Sequence, residues 1–241
     1  MSIFNLNFAV KQFPEILQAV PATLFVAVTA MAAGLIFGFF IAICRIYKLP
    51  ILNKIAVLYV SFIRGTPLLV QIYVIFYGIP ELMDFLNKTF SWSLNPDGIS
   101  PFLYAFIAYT INTSAFQSEI IRSAITSTDA GQMEAAYSVG MNTAQGLTRI
   151  IIPQAFEAAL PNLGNTFIGL VKGTSLAFAV KVIEIMAVAK TISNQGYMFL
   201  EMYVDAAIVY WVICFALERF FALLENKAGI RKEKVNFEVM G

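Results

Sequence analysis

The chain has 241 residues, 16 basic and 15 acidic, for a net charge of +1. Only 13% of residues are charged and 59% are hydrophobic, with a mean hydropathy of +0.74, whereas an average soluble domain carries about 25% charged residues; a water-soluble globule is excluded, and nucleic-acid binding has no support. Histidine is absent, which removes His-based acid–base catalysis, His-dependent triads and histidine metal ligation.

In chain order, the first predicted span lies within the stretch from Ile16 to the first following charge, Arg45, and Ala19 to Cys44 alone gives 26 uncharged residues. About 20 apolar residues cross a bilayer as a helix. The stretch is too long for the apolar segment of a secretory signal peptide, so it reads as a retained helix starting near Pro21 and stopping near Arg45. The second span, residues 55 to 80, carries Arg64 followed by Gly65-Thr66-Pro67. Pro67 removes a helix donor and disfavours helical backbone at Thr66. The apolar part after it, about 14 residues, is too short to cross alone. A broken or kinked helix is expected, with Arg64 at the inner interface. Residues 99 to 118 form a third span closed by Glu119 and Arg122. A fourth begins near Pro161 and must accommodate Lys172, Lys181 and Glu184. The fifth runs from about Met202 to Leu224, with Tyr203, Tyr210 and Trp211 as interfacial anchors and packing residues. Cys44 and Cys214 sit in apolar runs without C-x-x-C spacing, as buried structural residues.

Loop charges orient this five-span chain. With the N-terminus outside, Arg45, Lys48, Lys54, Arg64, Arg122, Arg149 and the tail cations fall on the inner side, leaving chiefly Lys11 and Lys88 outside. The positive-inside bias favours N-out, C-in. The expected fold is an all-α integral membrane domain over 1–241, with a cytoplasmic segment at 127–153 and a charged cytoplasmic tail at 226–241.

The 127–153 segment is too polar to span and too patterned for a loop. Asp129 with Gln132 fits a capping box, and Ala130 to Ser138 reads as a short helix. Gly140 stands where helices end in left-handed backbone. Asn142 with Gln145 offers a second cap, and Leu147, Ile150 and Ile151 give an apolar face that Pro153 interrupts. Two short helices joined at a glycine form a stiff knob suited to passing force from a partner to the spans.

Glu134 to Pro153, EAAYSVGMNTAQGLTRIIIP, resembles the "EAA" signature of permease subunits of bacterial binding-protein-dependent ABC importers: E-A-A, three residues, Gly, nine residues, I-x-L-P. Glu134, Ala135, Ala136, Gly140, Ile150 and Pro153 match, and Ile152 replaces the usual Leu. Ser61 to Pro80 and Leu160 to Phe178 resemble the polar amino-acid branch of that family, and the likeness extends from about residue 18 to 225. The resemblance implies that those six residues belong to a coupling segment docked on a cytoplasmic ATPase dimer, with Glu134 in the contact and Gly140 permitting the bend. It also implies a second permease copy, identical or related, an extracytoplasmic solute-binding protein that delivers the amino acid, and alternation between inward- and outward-facing states. The expected location is the bacterial cytoplasmic membrane. The chain lacks G-x-x-x-x-G-K-[ST], so it is expected to be non-catalytic and to bind no cofactor or metal itself, with ATP and magnesium on the partner chain.

Candidate pathway residues are Arg64, Asn112, Gln117, Lys172, Thr174, Ser175 and Glu184. Ionisable groups at membrane depth are expensive and usually face a bundle interior or wet cavity, where a zwitterionic amino acid offers a carboxylate and an ammonium. Lys172 and Ser175, three apart, share a helical face. Two of these have a plain alternative, Arg64 as topology anchor and Glu184 with Lys181 as a loop pair capping a short helix, and so does Glu134 of the coupling segment, as a helix N-terminal acid. Gly164, Gly169 and Gly173 permit close helix packing. Cystine is the favoured substrate, ahead of arginine, histidine or glutamine. An ion-coupled secondary transporter or channel is the alternative class, weakened by the lack of internal repeats. A membrane enzyme is weaker still.

Overall fold

A computed structural model describes residues 4–129 and 131–228, and among them every regular element is helical. Ten α-helices follow in order: α1 Leu6–Leu17, α2 Val20–Ile46, α3 Pro50–Gly65, α4 Leu68–Phe90, α5 Pro101–Thr126, α6 Gly131–Ser138, α7 Thr143–Gly146, α8 Ile152–Gly173, α9 Ile185–Gly196 and α10 Phe199–Lys227. A π-helical turn, Leu147–Ile151, joins α7 to α8, and a 3-10 stretch, Thr174–Val180, continues α8.

Four of the described helical stretches are long and apolar enough to cross a membrane: Val20–Ile46, Leu68–Phe90, Thr143–Val180 and Phe199–Lys227. α5, the expected third span, has 26 residues and sufficient length. Its polar content keeps it out of that set, because Thr110, Asn112, Thr113, Ser114, Gln117 and Ser118 follow one another along it. Yet α5 is the hub of the bundle. It packs along α2 and also meets α3, α4 and α8. Most of its polar side chains are therefore turned into protein, where they bond backbone carbonyls of their own helix and of α2.

The α2–α5 seam explains how these two helices approach so closely. Ala27, Ala30, Gly34, Gly38 and Ala42, spaced three or four apart, are buried on one face of α2. The principal core joins α2, α4, α5, α8 and the 3-10 stretch around Tyr109, Ile72 and Val171. A second core joins α1, α9 and α10 around Ile16, Ile185 and Met202. The sequence carries no expectation of α1, and of α9 only the short helix that Glu184 would cap; both pack onto α10.

Three boundary expectations need correction. The chain does break at Thr66-Pro67, where Thr66 is extended. However, α4 runs 23 residues through Pro80 and is long enough to cross by itself. The expected start of the fourth span at Pro161 is also wrong, because Pro161 lies inside α8, which begins at Ile152. Pro153 does not interrupt the preceding helix. It sits at the start of α8, directly after the π-helical turn, and the helical backbone continues through it. Cys214 is buried, while Cys44 is only half-buried.

Candidate functional site

Three groups of polar residues stand out, and the first is the helix break between α3 and α4. Residue 67 would normally supply the N–H for the Ile63 carbonyl, but proline has none. The buried Gln71 takes its place: Nε2 donates to Ile63 O at 2.8 Å, and to Thr66 O at 3.1 Å and Thr66 Oγ1 at 2.8 Å. Its Oε1 accepts from Asn112 Nδ2 on α5 at 3.0 Å. Of the pathway candidates, Asn112 therefore meets the break. Gln71 was not anticipated, although a lone amide in an apolar run four residues after a proline is a readable signal.

The second group surrounds Glu119 on α5. Its Oε2 accepts from Arg122 Nε at 3.0 Å and faces Arg122 Nη2 at 2.9 Å, while Oε1 pairs with Arg45 at the end of α2. Arg64 Nη1 stands 3.9 Å from the same Oε1, and its guanidinium lies 5.4 Å from the centre of the Phe116 ring. Arg64 thus closes α3 beside an acidic residue that sequence reading had used only to end a span.

The third group is the bend after α8. Thr174 is fully buried and donates to Val171 O at 2.6 Å, and Ser175 Oγ donates to Lys172 O at 2.8 Å. Lys172 is exposed and lines a crevice of about 400 Å³ with Tyr210, Cys214 and Glu218. Lys181 turns the chain with φ +67°. Glu184 is completely buried and caps α9, accepting from Met186 N at 2.9 Å and Ala187 N at 2.8 Å. Tyr210 Oη also donates to Glu184 Oε2 at 2.6 Å. This bond places the Tyr210 hydroxyl inside the fold, not at an interface. The structure thus sets Lys172 and Glu184 apart in environment, one exposed and one enclosed. Gln117 is separate from all three groups, fully buried at the α2–α5 seam, with Nε2 donating to Met31 O at 3.3 Å.

The segment leading into α8 is a compact knob. Asp129 Oδ1 accepts from Gly131 N at 2.7 Å, and α6 follows, while the remainder of the expected helix start, Ala130, lies outside the described residues. Gly140 has φ +80°, the left-handed backbone expected of it. Asn142 and Gln145 form a reciprocal capping box at 3.0 Å in each direction. Ala136 is buried, and Gly146 is so close to α6 that a Cβ there would meet Met133 Sδ at 2.9 Å. Glu134, Ala135, Tyr137 and Val139 remain exposed, Ile150 is half-buried, and Pro153 opens α8.

Residues 34–230 match the family described as binding-protein-dependent transport system inner membrane component. This chain belongs to that family. The transport component is similar to the probable amino-acid permease protein YxeN of Bacillus subtilis, 40% identical over 88% of this chain and 91% of the relative. It is also 36% identical to the L-cystine transport system permease protein TcyL of Bacillus subtilis, over 93% of this chain and 91% of that protein. Among solved structures, an amino acid ABC transporter crystallised with histidines matches with a TM-score of 0.79 and 31% identity, covering 94% of this chain and 100% of the other. The methionine transporter MetNI in an inward-facing form shares the fold at a TM-score of 0.58 and 17% identity, over 86% of this chain and 93% of the other. The ABC permease fold therefore accounts for the helical bundle and its apolar spans.

Proposed function

We propose that this chain is the transmembrane permease subunit of an ATP-driven amino-acid importer in the bacterial cytoplasmic membrane. The observation that carries the reading is the knob at 131–153: two short helices locked by Gly140, the Asn142–Gln145 box and the Met133–Gly146 contact, running without interruption into α8. Glu134, with Tyr137 and Val139 at half or more exposure, presents a mixed acidic and apolar face to a cytoplasmic ATPase. Ala136 packs behind that face, and Ala135, Gly140, Ile150 and Pro153 complete the coupling segment.

In this reading α5 is the third of five spans, its polar side chains protected by α2, α3, α4 and α8, and the topology is N-out, C-in. Two permease copies alternate between inward- and outward-facing states under an ATPase dimer that holds ATP and magnesium. Such a partner drives the cycle only if each nucleotide state favours one permease conformation. A solute-binding protein delivers the substrate from outside. Arg64, Asn112, Gln117, Lys172, Thr174, Ser175 and Glu184 are the pathway candidates. Arg64 and Asn112 at the helix break have the stronger geometric case, because an unwound segment at membrane depth is tolerated where it lines a cavity or is buried in protein. Cystine is the favoured substrate, supported by likeness to cystine permeases. Arginine, histidine and glutamine follow.

The test is purification of the tagged chain with its ATPase. The wild-type chain brings the ATPase with it, and Glu134→Arg or Gly140→Val loses it while the spans remain folded. Exposure of residues 134–150 to an impermeant thiol label from the outer face would reject the reading.

A further inference from the structure

Glu119 has two carboxylate oxygens and three arginine neighbours. Arg122, one turn along α5, occupies Oε2. That leaves Oε1, which faces Arg45 from the end of α2 and Arg64 from the end of α3. Arg45 holds the close contact, and Arg64 waits at 3.9 Å against the Phe116 ring. One carboxylate against three guanidinium groups leaves two positive charges uncompensated, and crowding at a single oxygen makes close pairing with one arginine work against the other.

The three helices involved are well placed to move differently. Arg64 precedes the break that Gln71 spans. Arg45 stands at the end of the seam helix α2, one residue before its last residue. Glu119 lies two turns from the end of α5, after which the chain enters the coupling segment. The side chains differ in exposure in the same sense: that of Arg45 is 14% exposed, that of Arg64 46%.

We propose that Glu119 is a positioning residue of the transport cycle whose Oε1 exchanges Arg45 for Arg64 as the permease passes between its two conformations. With Arg45 paired, α5 is tied to α2. With Arg64 paired, α5 is tied to the helix break, and motion of the coupling segment is delivered to α3 and α4. This inference rests on the permease reading, because it needs two alternating states.

Spin labels at Tyr47→Cys and Phe62→Cys, in a Cys44→Ser, Cys214→Ser background, report the separation of the two helix ends in lipid nanodiscs. The full chain is measured alone and with its ATPase, before and after nucleotide trapping. Two distances are expected, with nucleotide shifting the balance. Arg64→Gln favours the Arg45-paired distance and Arg45→Gln the other, each by about threefold, the scale of a half-exposed ion pair. Arg45→Lys and Arg64→Lys retain both populations, and Glu119→Gln removes the dependence on either arginine. A purely structural cluster would give loosening in the same direction for both glutamine variants, and that result, or no shift, overturns the exchange. Failure of any ATPase to associate with the wild-type chain would instead reject the permease reading, while the opposite shifts in the chain alone still report on the exchange.

Discussion

Gly34 of α2 lies against Gln117 of α5 so closely that a Cβ on Gly34 would come 2.8 Å from Gln117 Oε1 and 2.3 Å from Thr113 Oγ1. A Cβ at this position fits only if the Thr113 and Gln117 side chains shift away from it. Gly34→Ala is therefore expected to destabilise the bundle by about 2 kcal/mol through overpacking. Gly169→Ala, where nothing lies within 4 Å, is expected to be neutral or stabilising by up to about 1 kcal/mol from helix propensity. Thermal unfolding in detergent, followed by intrinsic fluorescence, checks the pair.

Gln71 supplies the donor that Pro67 cannot. Gln71→Leu leaves the Ile63 carbonyl and the Asn112 amide without these partners, at a cost of about 1–3 kcal/mol. Backbone exchange should rise at residues 63–71 and not in α10. Gln71→Glu retains an acceptor for Asn112 but loses the donor, so in its ionised form it should behave like the leucine variant at the break.

The knob depends on two local devices. Gly140→Ala forces a Cβ into left-handed backbone at about 1 kcal/mol, and Asn142→Ala removes a cap worth about 1 kcal/mol. Both should raise hydrogen exchange across 131–146 and weaken ATPase association, leaving the unfolding temperature of the spans nearly unchanged. Gly140→Asn, which tolerates φ +80° better, should recover part of the loss.

Tyr210 and Glu184 tie α10 to the start of α9. Tyr210→Phe removes a hydrogen bond to a buried carboxyl group and should cost about 1–3 kcal/mol. If Glu184 serves the fold through its cap, Glu184→Gln should lower stability with little change in substrate affinity. Titrating substrate binding against unfolding temperature for the two variants separates these effects.

Much of the fold was legible because bilayer chemistry is severe. The uncharged run after Ile16, the proline break after Arg64 and the charge-free heart of α10 each leave a direct mark on sequence. Gly140 and the Asn142–Gln145 box were readable because left-handed backbone and reciprocal caps demand particular residues. The start of α8 was not, since Pro161 looks like a boundary but sits within a helix whose neighbours can reorganise the bonding around it. α1 was not legible and α9 only through its Glu184 cap, because short helices acquire their stability from packing on α10, a tertiary effect. Arg45 and Glu119 are 74 positions apart, so their meeting could only emerge from the α2–α5 seam. Glu184 is a mixed case: its cap on a short helix is readable as an alternative to a pathway role, but its burial and its bond to Tyr210 needed coordinates.

Uptake into proteoliposomes tests the central claim most directly, using radiolabelled L-cystine, arginine, histidine and glutamine in turn. The chain should concentrate one of them, cystine first, only when the separate ATPase, ATP and the solute-binding protein are all supplied. An imposed proton or sodium gradient should not replace them. Concentrative uptake by this chain alone, driven by an ion gradient without any ATPase, would contradict the account.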